Sequence, residues 1–421
     1  MRVLTIATLL ASTVVACVGQ TSNTDFRFTF GAGKVRSGYT RVASDLVYDK
    51  ALGYGFEPGS KVKEDENSVT SDQPFYFSVA VPEGNYKVTA TLGNNTAPSI
   101  TTIKAELRRL MVERLETAPH NSAVVTFVVN VRTPQISGDG EVRLKPREKT
   151  SEARAWDDKL TLEFTDAHPA LRDLRIERVT DLPTIYIAGD STSTDQPTEP
   201  YNSWGQMLTR FFKPDIAVAN HGESGESLRS FFAEKRFDKV MTLIRPGDYL
   251  FIQMGHNDQK DKSPGAGAFT SYKDFLKRMV DGAREKGATP VLITPMNRLT
   301  FDADGKITNS LGEFPAAVRQ EAKDDHVALI DLNAMSKPFY EALGPVEAHK
   351  AFAGKDTTHH DNYGSYELAK CIVQGIRDAK LPLAAHISPD FKGFDPAHPD
   401  PIASFDVPAE PAASAERPYG N

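Results

Sequence analysis

The chain has 421 residues, of which 40% are apolar, 25% charged and 9% aromatic, with a formal net charge of −7. At roughly 150 residues per domain this length predicts two or three packed domains, and the composition excludes a disordered or collagen-like chain. With an acidic balance and no Lys/Arg run, a protein that coats nucleic acid is excluded, and two cysteines are too few for a disulfide-stapled scaffold.

Met1-Arg2 precedes an apolar stretch, Val3 to Val15, that is too short to span a bilayer. Val14 and Ala16 are small enough for a signal-peptidase site, and Val14-Val15-Ala16-Cys17 also has the form of a bacterial lipobox. Residues 1–21 are therefore expected to be a signal peptide. The product would be periplasmic, extracellular or, through a lipid anchor at Cys17, held on the outer surface. No apolar run of about 18 residues follows, so no transmembrane helix is expected. Cys371, at Leu368/Cys371/Ile372 helical spacing, reads as core packing.

From 22 to 180 the sequence is β-rich. Phe26–Phe30, Phe75–Val81, Tyr86–Leu92 and Leu160–Phe164 alternate with period two, and Val124–Val131 is a β-branched run. Gly93-Asn94-Asn95 and Gly138-Asp139-Gly140 supply turns. Short strands at this spacing predict an all-β sandwich. Ile103 to Leu115 is ambiguous, because Leu107, Leu110 and Met111 also suit a helix. Trp156 and Tyr54 are either sugar-stacking or core residues.

After Pro183 the pattern changes to α/β over 181–383. Strands are expected at Thr184–Ala188, Ile216–Ala219, Tyr249–Gln253, Val291–Thr294 and Val327–Ile330. Between them lie helical patterns at Trp204/Leu208/Phe211, Phe275/Met279/Val280/Ala283, Val318/Ala322 and Tyr363/Leu368/Ile372/Ile376. This alternation predicts a parallel sheet covered by helices on both faces. Residues 384–421, rich in Pro, Asp and Ala, read as an irregular tail, on the surface or disordered.

In such sheets ligands bind beyond the carboxyl ends of the strands. Four polar turns fall there: Gly189-Asp190-Ser191-Thr192, Asn220 to Gly225, Gly255-His256-Asn257-Asp258 and Asp356-Thr357-Thr358-His359. A serine hydrolase needs a nucleophile, a base, an acid to orient the base, and oxyanion donors. Ser191 follows a Gly that allows a tight strand-to-loop turn. Asp356 and His359, one helical turn apart, can share Nδ1 while Nε2 faces Ser191. The N–H groups of Ser191 and Gly225 with the Asn257 amide would complete the site.

At these residues the chain resembles the SGNH (GDSL-type) hydrolases, whose blocks are Gly-Asp-Ser, a Gly turn, Gly-x-Asn-Asp and Asp-x-x-His. Ala188 to Thr192, Trp204 to Leu208, Ser224 to Ser230, Gly255 to Asp258 and Asp356 to His360 are similar to bacterial rhamnogalacturonan acetylesterases. The resemblance implies a three-layer α/β/α, flavodoxin-like catalytic domain behind a galactose-binding-like sandwich. It implies a triad of Ser191, Asp356 and His359, with Ser191, Gly225 and Asn257 as oxyanion donors. The implied substrate is an acetylated plant cell-wall polysaccharide, rhamnogalacturonan first. The alternatives are another polysaccharide such as xylan, or a carbohydrate-binding protein with an inactive esterase domain.

No HExxH or paired CxxC is present, and neither a metal nor a cofactor is expected. The phosphate-loop spacing and the G-x-S-x-G elbow are also absent. His256 either lines the cleft or holds the turn before Asn257. His360 reads as a helix-start surface residue or a substrate contact. Arg298 and Arg229 either meet a sugar carboxylate bidentately or form solvated or structural ion pairs.

Overall fold

A computed structural model describes residues 24–138 and 140–409. The expected signal peptide and Cys17 lie outside the described residues.

The amino-terminal half contains β1 (Asp25–Phe30), β2 (Thr40–Val42), β3 (Tyr54–Phe56), β4 (Lys63–Glu64), β5 (Val69–Thr70), β6 (Phe75–Ala80), β7 (Gly84–Leu92), β8 (Ser99–Ala105), β9 (Arg109–Thr117), β10 (Ala123–Val131), β11 (Lys159–Thr165) and β12 (Ala170–Val179). Two sheets form: one in the order β10-β7-β12-β1-β2, with β5 pairing β12 and β4 pairing β5, and one in the order β3-β6-β11-β8-β9. Period-two alternation works here because each strand shows one face to the opposite sheet. Phe28 and Phe30 of β1 meet Phe77 of β6 edge-on, with ring centroids 5.3 Å apart in both pairs. Tyr54 packs on Phe28 at 4.8 Å and joins this core.

The ambiguous segment is the β8–β9 hairpin. Its helix-like apolar spacing arises because three residues near its tip enter three different cores. Leu107 packs with Val142 and Trp156, Leu110 joins the core of the second domain, and Met111 stays in the sandwich. Trp156 is a core residue too, its indole N–H donating to Glu148 at 2.8 Å.

The second half continues with β13 (Thr184–Gly189), α1 (Trp204–Leu208), β14 (Ala217–Asn220), α2 (Leu228–Ala233), α3 (Arg236–Leu243), β15 (Tyr249–Gln253), α4 (Lys273–Glu285), β16 (Thr289–Ile293), α5 (Phe314–Asp324), β17 (Ala328–Ile330), α6 (Leu332–Glu347) and α7 (Asn362–Asp378). The sheet is parallel in the order β14-β13-β15-β16-β17, the 2-1-3-4-5 order of flavodoxin-like folds. Ile185 and Ile187 of β13 face a core shared with α1, α6 and α7, while Tyr186 and Ala188 face α2 to α5. Helices thus cover both faces in three layers. Among the described residues no helix is long and apolar enough to cross a membrane. Cys371 is fully buried in the α7 core.

Beyond α7, residues 384–409 are irregular apart from isolated 3₁₀ turns, yet Ile387, Phe391 and Val407 are buried in the catalytic-side core. Single apolar anchors at irregular intervals carry no period, so the sequence pattern does not reveal this docking.

The two halves meet through buried ion pairs as well as through Leu110. Arg108 pairs with Glu199 at 3.0 Å, Arg109 with Asp195 at 3.1 Å and Arg236 with Glu148 at 2.5 Å. Each pair joins one residue of the sandwich side to one of the α/β side.

Candidate active site

Strand β13 ends in a sharp turn that presents Ser191. The turn is locked by Asp190, whose Oδ1 accepts the Thr192 N–H at 3.0 Å and the Thr192 hydroxyl at 2.7 Å. The Asp190 carbonyl takes the N–H groups of Ser193 and Thr194. Gly189 lets the chain pack closely here: a Cβ would lie 1.8 Å from Ser193 Oγ and 3.1 Å from the Gln253 carbonyl oxygen. Gly205, in the first turn of α1, allows an equally close approach, since a Cβ would sit 2.1 Å from the Ser193 carbonyl oxygen.

Asp356 and His359 come from the loop between α6 and α7. They are not joined by a helical turn. Asp356 Oδ1 instead accepts the N–H groups of Thr358 at 2.7 Å and His359 at 3.1 Å, a side-chain-closed turn. The helix begins later, capped by Asp361, which accepts the Gly364 N–H at 2.9 Å. The turn leaves Asp356 Oδ2 3.1 Å from His359 Nδ1 and His359 Nε2 2.8 Å from Ser191 Oγ. With the Nδ1 proton directed at Asp356, Nε2 is left to accept from the serine hydroxyl. Burial would raise the Asp356 carboxyl, but the His359 ring and the two N–H groups outweigh it and hold the group well below the usual carboxylate range. The edge of Tyr201 covers the imidazole, with centroids 5.9 Å apart.

Gly225 lies in the 223–226 turn after β14 with φ +80°, in the left-handed region that glycine adopts without a Cβ clash. Among the described residues, no protein acceptor takes the N–H of Ser191 or of Gly225. Asn257 follows β15, and its amide nitrogen donates one hydrogen to the Glu226 carbonyl at 3.0 Å, leaving a second hydrogen. Gln196 ties the turns together, its amide donating to the Ser191 carbonyl at 2.7 Å and to Ser224 Oγ at 3.3 Å.

The structure decides between the two readings of His256 and corrects the expectation for His360. His256 is 2% exposed and does not line a cleft. Its Nδ1 lies 3.3 Å from Asp190 Oδ2 and its Nε2 3.1 Å from the Met296 carbonyl, so it buttresses the Ser191 turn from below. Burial pushes its pKa down, against the pull of Asp190. His360 is neither a surface residue nor a substrate contact: it is 1% exposed, bonded to the Tyr340 hydroxyl at 2.7 Å and packed on Phe352. Burial lowers its pKa to about 3, which makes it a neutral core histidine.

Arg298 is half-buried and committed to protein acceptors, donating to Thr358 Oγ1 at 3.2 Å and to the His256 carbonyl at 3.2 Å. It braces the Asp356–His359 loop against the Asn257 turn. Arg229 is exposed and pairs with Asp261 at 2.9 Å.

Sequence reading missed the residues that reach the site from the sandwich. Arg108, at the β8–β9 tip, donates to the carbonyls of Gln196 (3.2 Å) and Tyr201 (3.0 Å). Lys145 and Arg147 both donate to the Ser224 carbonyl. Single cations crossing a domain boundary have no periodic or motif signature. Gln196 and Tyr201 lie a few residues past the Gly-Asp-Ser block, and that proximity was the only available signal.

The sequence profile of the GDSL-like lipase/acylhydrolase family matches residues 187–365. The β-agarase/YXIM esterase-like, galactose-binding domain-like profile matches residues 26–112. The chain is similar to rhamnogalacturonan acetylesterase RhgT of Bacillus subtilis (strain 168), 39% identical over 218 residues that span 48% of this chain and 93% of that protein. It is also similar to the probable rhamnogalacturonan acetylesterase YesY of the same organism, at 37% over 48% of this chain and 96% of that one. The uncharacterized esterase YxiM, again from B. subtilis, aligns at 28% identity over 84% of this chain and 90% of its own length.

Proposed function

The chain belongs to the GDSL-like lipase/acylhydrolase family and is a carboxylic ester hydrolase, and from that premise we propose that it removes acetyl groups from a plant cell-wall polysaccharide, rhamnogalacturonan in particular. The 2.8 Å contact between Ser191 Oγ and His359 Nε2, oriented by Asp356, carries the chemistry. The names of the two relatives above 30% identity support the substrate.

Ser191 attacks the acetyl carbonyl as His359 takes its proton. Negative charge develops on the carbonyl oxygen and is met by the Ser191 and Gly225 N–H groups and the free Asn257 amide hydrogen. His359 then protonates the departing sugar hydroxyl. Water, activated by the same imidazole, attacks the acetyl-serine and releases acetate. Asp356 stays ionised and stabilises the imidazolium throughout. The leader-like N-terminus supports action outside the cytoplasm, where a polysaccharide substrate would be met.

Acetate release from acetylated rhamnogalacturonan and from acetylated xylan tests this reading, with wild type beside Ser191→Ala. The expected result is release from rhamnogalacturonan by the wild type and a loss of more than about a thousandfold in the variant. Equal release by the two proteins would remove Ser191 as nucleophile. A preference for xylan would overturn the substrate.

A further inference from the structure

We propose that the amino-terminal half is a working part of the active site: Lys145 and Arg147, positioning residues in the segment that joins β10 to β11, aim and polarise the peptide that supplies the Gly225 oxyanion donor. The inference rests on the serine-esterase reading above and concerns how one of its donors is held.

The Ser224 carbonyl and the Gly225 N–H belong to one planar peptide unit, and in a trans peptide the two point in opposite directions. Arg147 Nη2 donates to the Ser224 oxygen at 2.5 Å and Lys145 Nζ at 2.9 Å. Two cations on the oxygen fix the peptide plane, and with it the N–H direction. They also draw electron density toward the oxygen, which makes the N–H a stronger donor to an anion.

Both cations are anchored at a second point on the same turn. Arg147 Nε donates to Glu223 at 2.8 Å, and the Lys145 ammonium meets the Glu226 carboxylate. The turn is thus gripped on either side of Gly225.

The gripping segment is itself rigid. The Lys145 N–H donates to Glu148 at 2.8 Å, and Glu148 is fully buried between Arg236 and the Trp156 indole. Within the α/β half the turn is held by Gln196 on Ser224 Oγ, Asn257 on the Glu226 carbonyl, the Ser230 hydroxyl on the Glu226 carboxylate and the Glu223 N–H on the Gly189 carbonyl, but none of these contacts reaches the Ser224 carbonyl. Among the described residues, the Ser224 carbonyl, which sets the plane of the peptide carrying the Gly225 N–H, is met by the two cations alone.

The test uses the full chain and a small acetyl ester, 4-nitrophenyl acetate, which asks little of the polysaccharide-binding surface. Lys145→Met and Arg147→Met are made singly and together, with Lys145→Arg and Arg147→Lys as conservative variants. Lys239→Met is the control. It breaks contacts across the same domain boundary, with Glu83 and the Gln135 carbonyl, away from the turn. Ser191→Ala reports on the site reading itself.

Loss of a whole oxyanion donor typically lowers kcat by about 10²–10³-fold. The expected loss is about tenfold for each single Met variant and about a hundredfold for the double, at nearly unchanged KM. The conservative variants and Lys239→Met should keep most of the wild-type kcat. Wild-type kcat in the double variant, with Ser191→Ala inactive, would overturn the proposal. So would an equal kcat loss in Lys239→Met, which would point to general loosening of the boundary. Activity in Ser191→Ala would overturn the site reading, and this inference with it. Should the double variant not fold, Lys145→Met alone decides: a tenfold kcat loss supports the proposal and parity with wild type overturns it.

Discussion

The side-chain amide of Asn257 is tied to the backbone carbonyl of Glu226 at 3.0 Å, so the turns after β14 and β15 are held in one frame. Asn257 is therefore a brace and, in the proposed reaction, also an oxyanion donor. Asn257→Ala is expected to cost about 2.7–4 kcal/mol of transition-state stabilisation, seen as a 10²–10³-fold drop in kcat. Steady-state kinetics should show KM for a small acetyl ester nearly unchanged.

Asp356 closes its own turn and faces His359 Nδ1 with one carboxylate, and in the proposed mechanism the same group stabilises the imidazolium. In Asp356→Asn the turn can still close through the amide oxygen, but an N–H₂ facing Nδ1 favours the wrong tautomer. A kcat loss of about 10⁴-fold is expected, by analogy with triad carboxylates generally, with thermal stability largely retained. Kinetics and thermal unfolding on the same sample check both halves of the prediction.

Gly205 is a packing requirement of the nucleophile loop. Gly205→Ala would place a methyl 2.1 Å from the Ser193 carbonyl and 2.8 Å from the Asn220 amide, both of which hold the loop. Overpacking of this kind costs about 1–3 kcal/mol. Denaturant unfolding should show that loss, and kcat should fall with it, because the displaced backbone lies two residues from Ser191.

Glu152 lies beside Arg147 at 3.3 Å. Burial first, and then the nearby Glu223 carboxylate, push its pKa up to about 8, against the pull of Arg147. A carboxyl raised in the folded state contributes stability that is complete below the unfolded value near 4.5 and lost as pH rises toward 8. Glu152→Gln cannot ionise, so its melting temperature should gain on wild type steadily between about pH 5 and 8. Thermal unfolding across that range is the measurement. Parallel curves for the two proteins would remove Glu152 as the source.

The elements visible in the sequence were those whose burial repeats. Phe75 to Ala80 alternates because one sheet face is core, and Ile185 to Ala188 is apolar throughout because both faces are covered. Ser191, Asp356 and His359 were legible because each sits in a compact motif behind a recognisable element, and the structure brings the three into one hydrogen-bonded chain. His360 was misread because a histidine next to a catalytic-type residue suggests solvent, and for His256 the same neighbourhood left the choice between cleft and turn open. The side chains that bury them, Asp190, Tyr340 and Phe352, arrive from elsewhere in the chain. Arg108, Lys145 and Arg147 stayed hidden for the same reason, since their meaning lies in a carbonyl on another domain.

The irregular segment after α7 does not stop at the helix it covers. Tyr363 donates to the Asp400 carbonyl at 2.7 Å, and a few residues on Arg114 of β9 donates to the Asp406 carbonyl at 3.1 Å. The polypeptide leaves the sandwich at 180, and more than two hundred residues later it adds a further contact to those made by Asp195, Glu199 and the 223–226 turn. Trimming these closing residues as dispensable would unfasten a buckle between the halves, and an esterase shortened this way would be expected to breathe at the seam where its catalytic geometry is assembled.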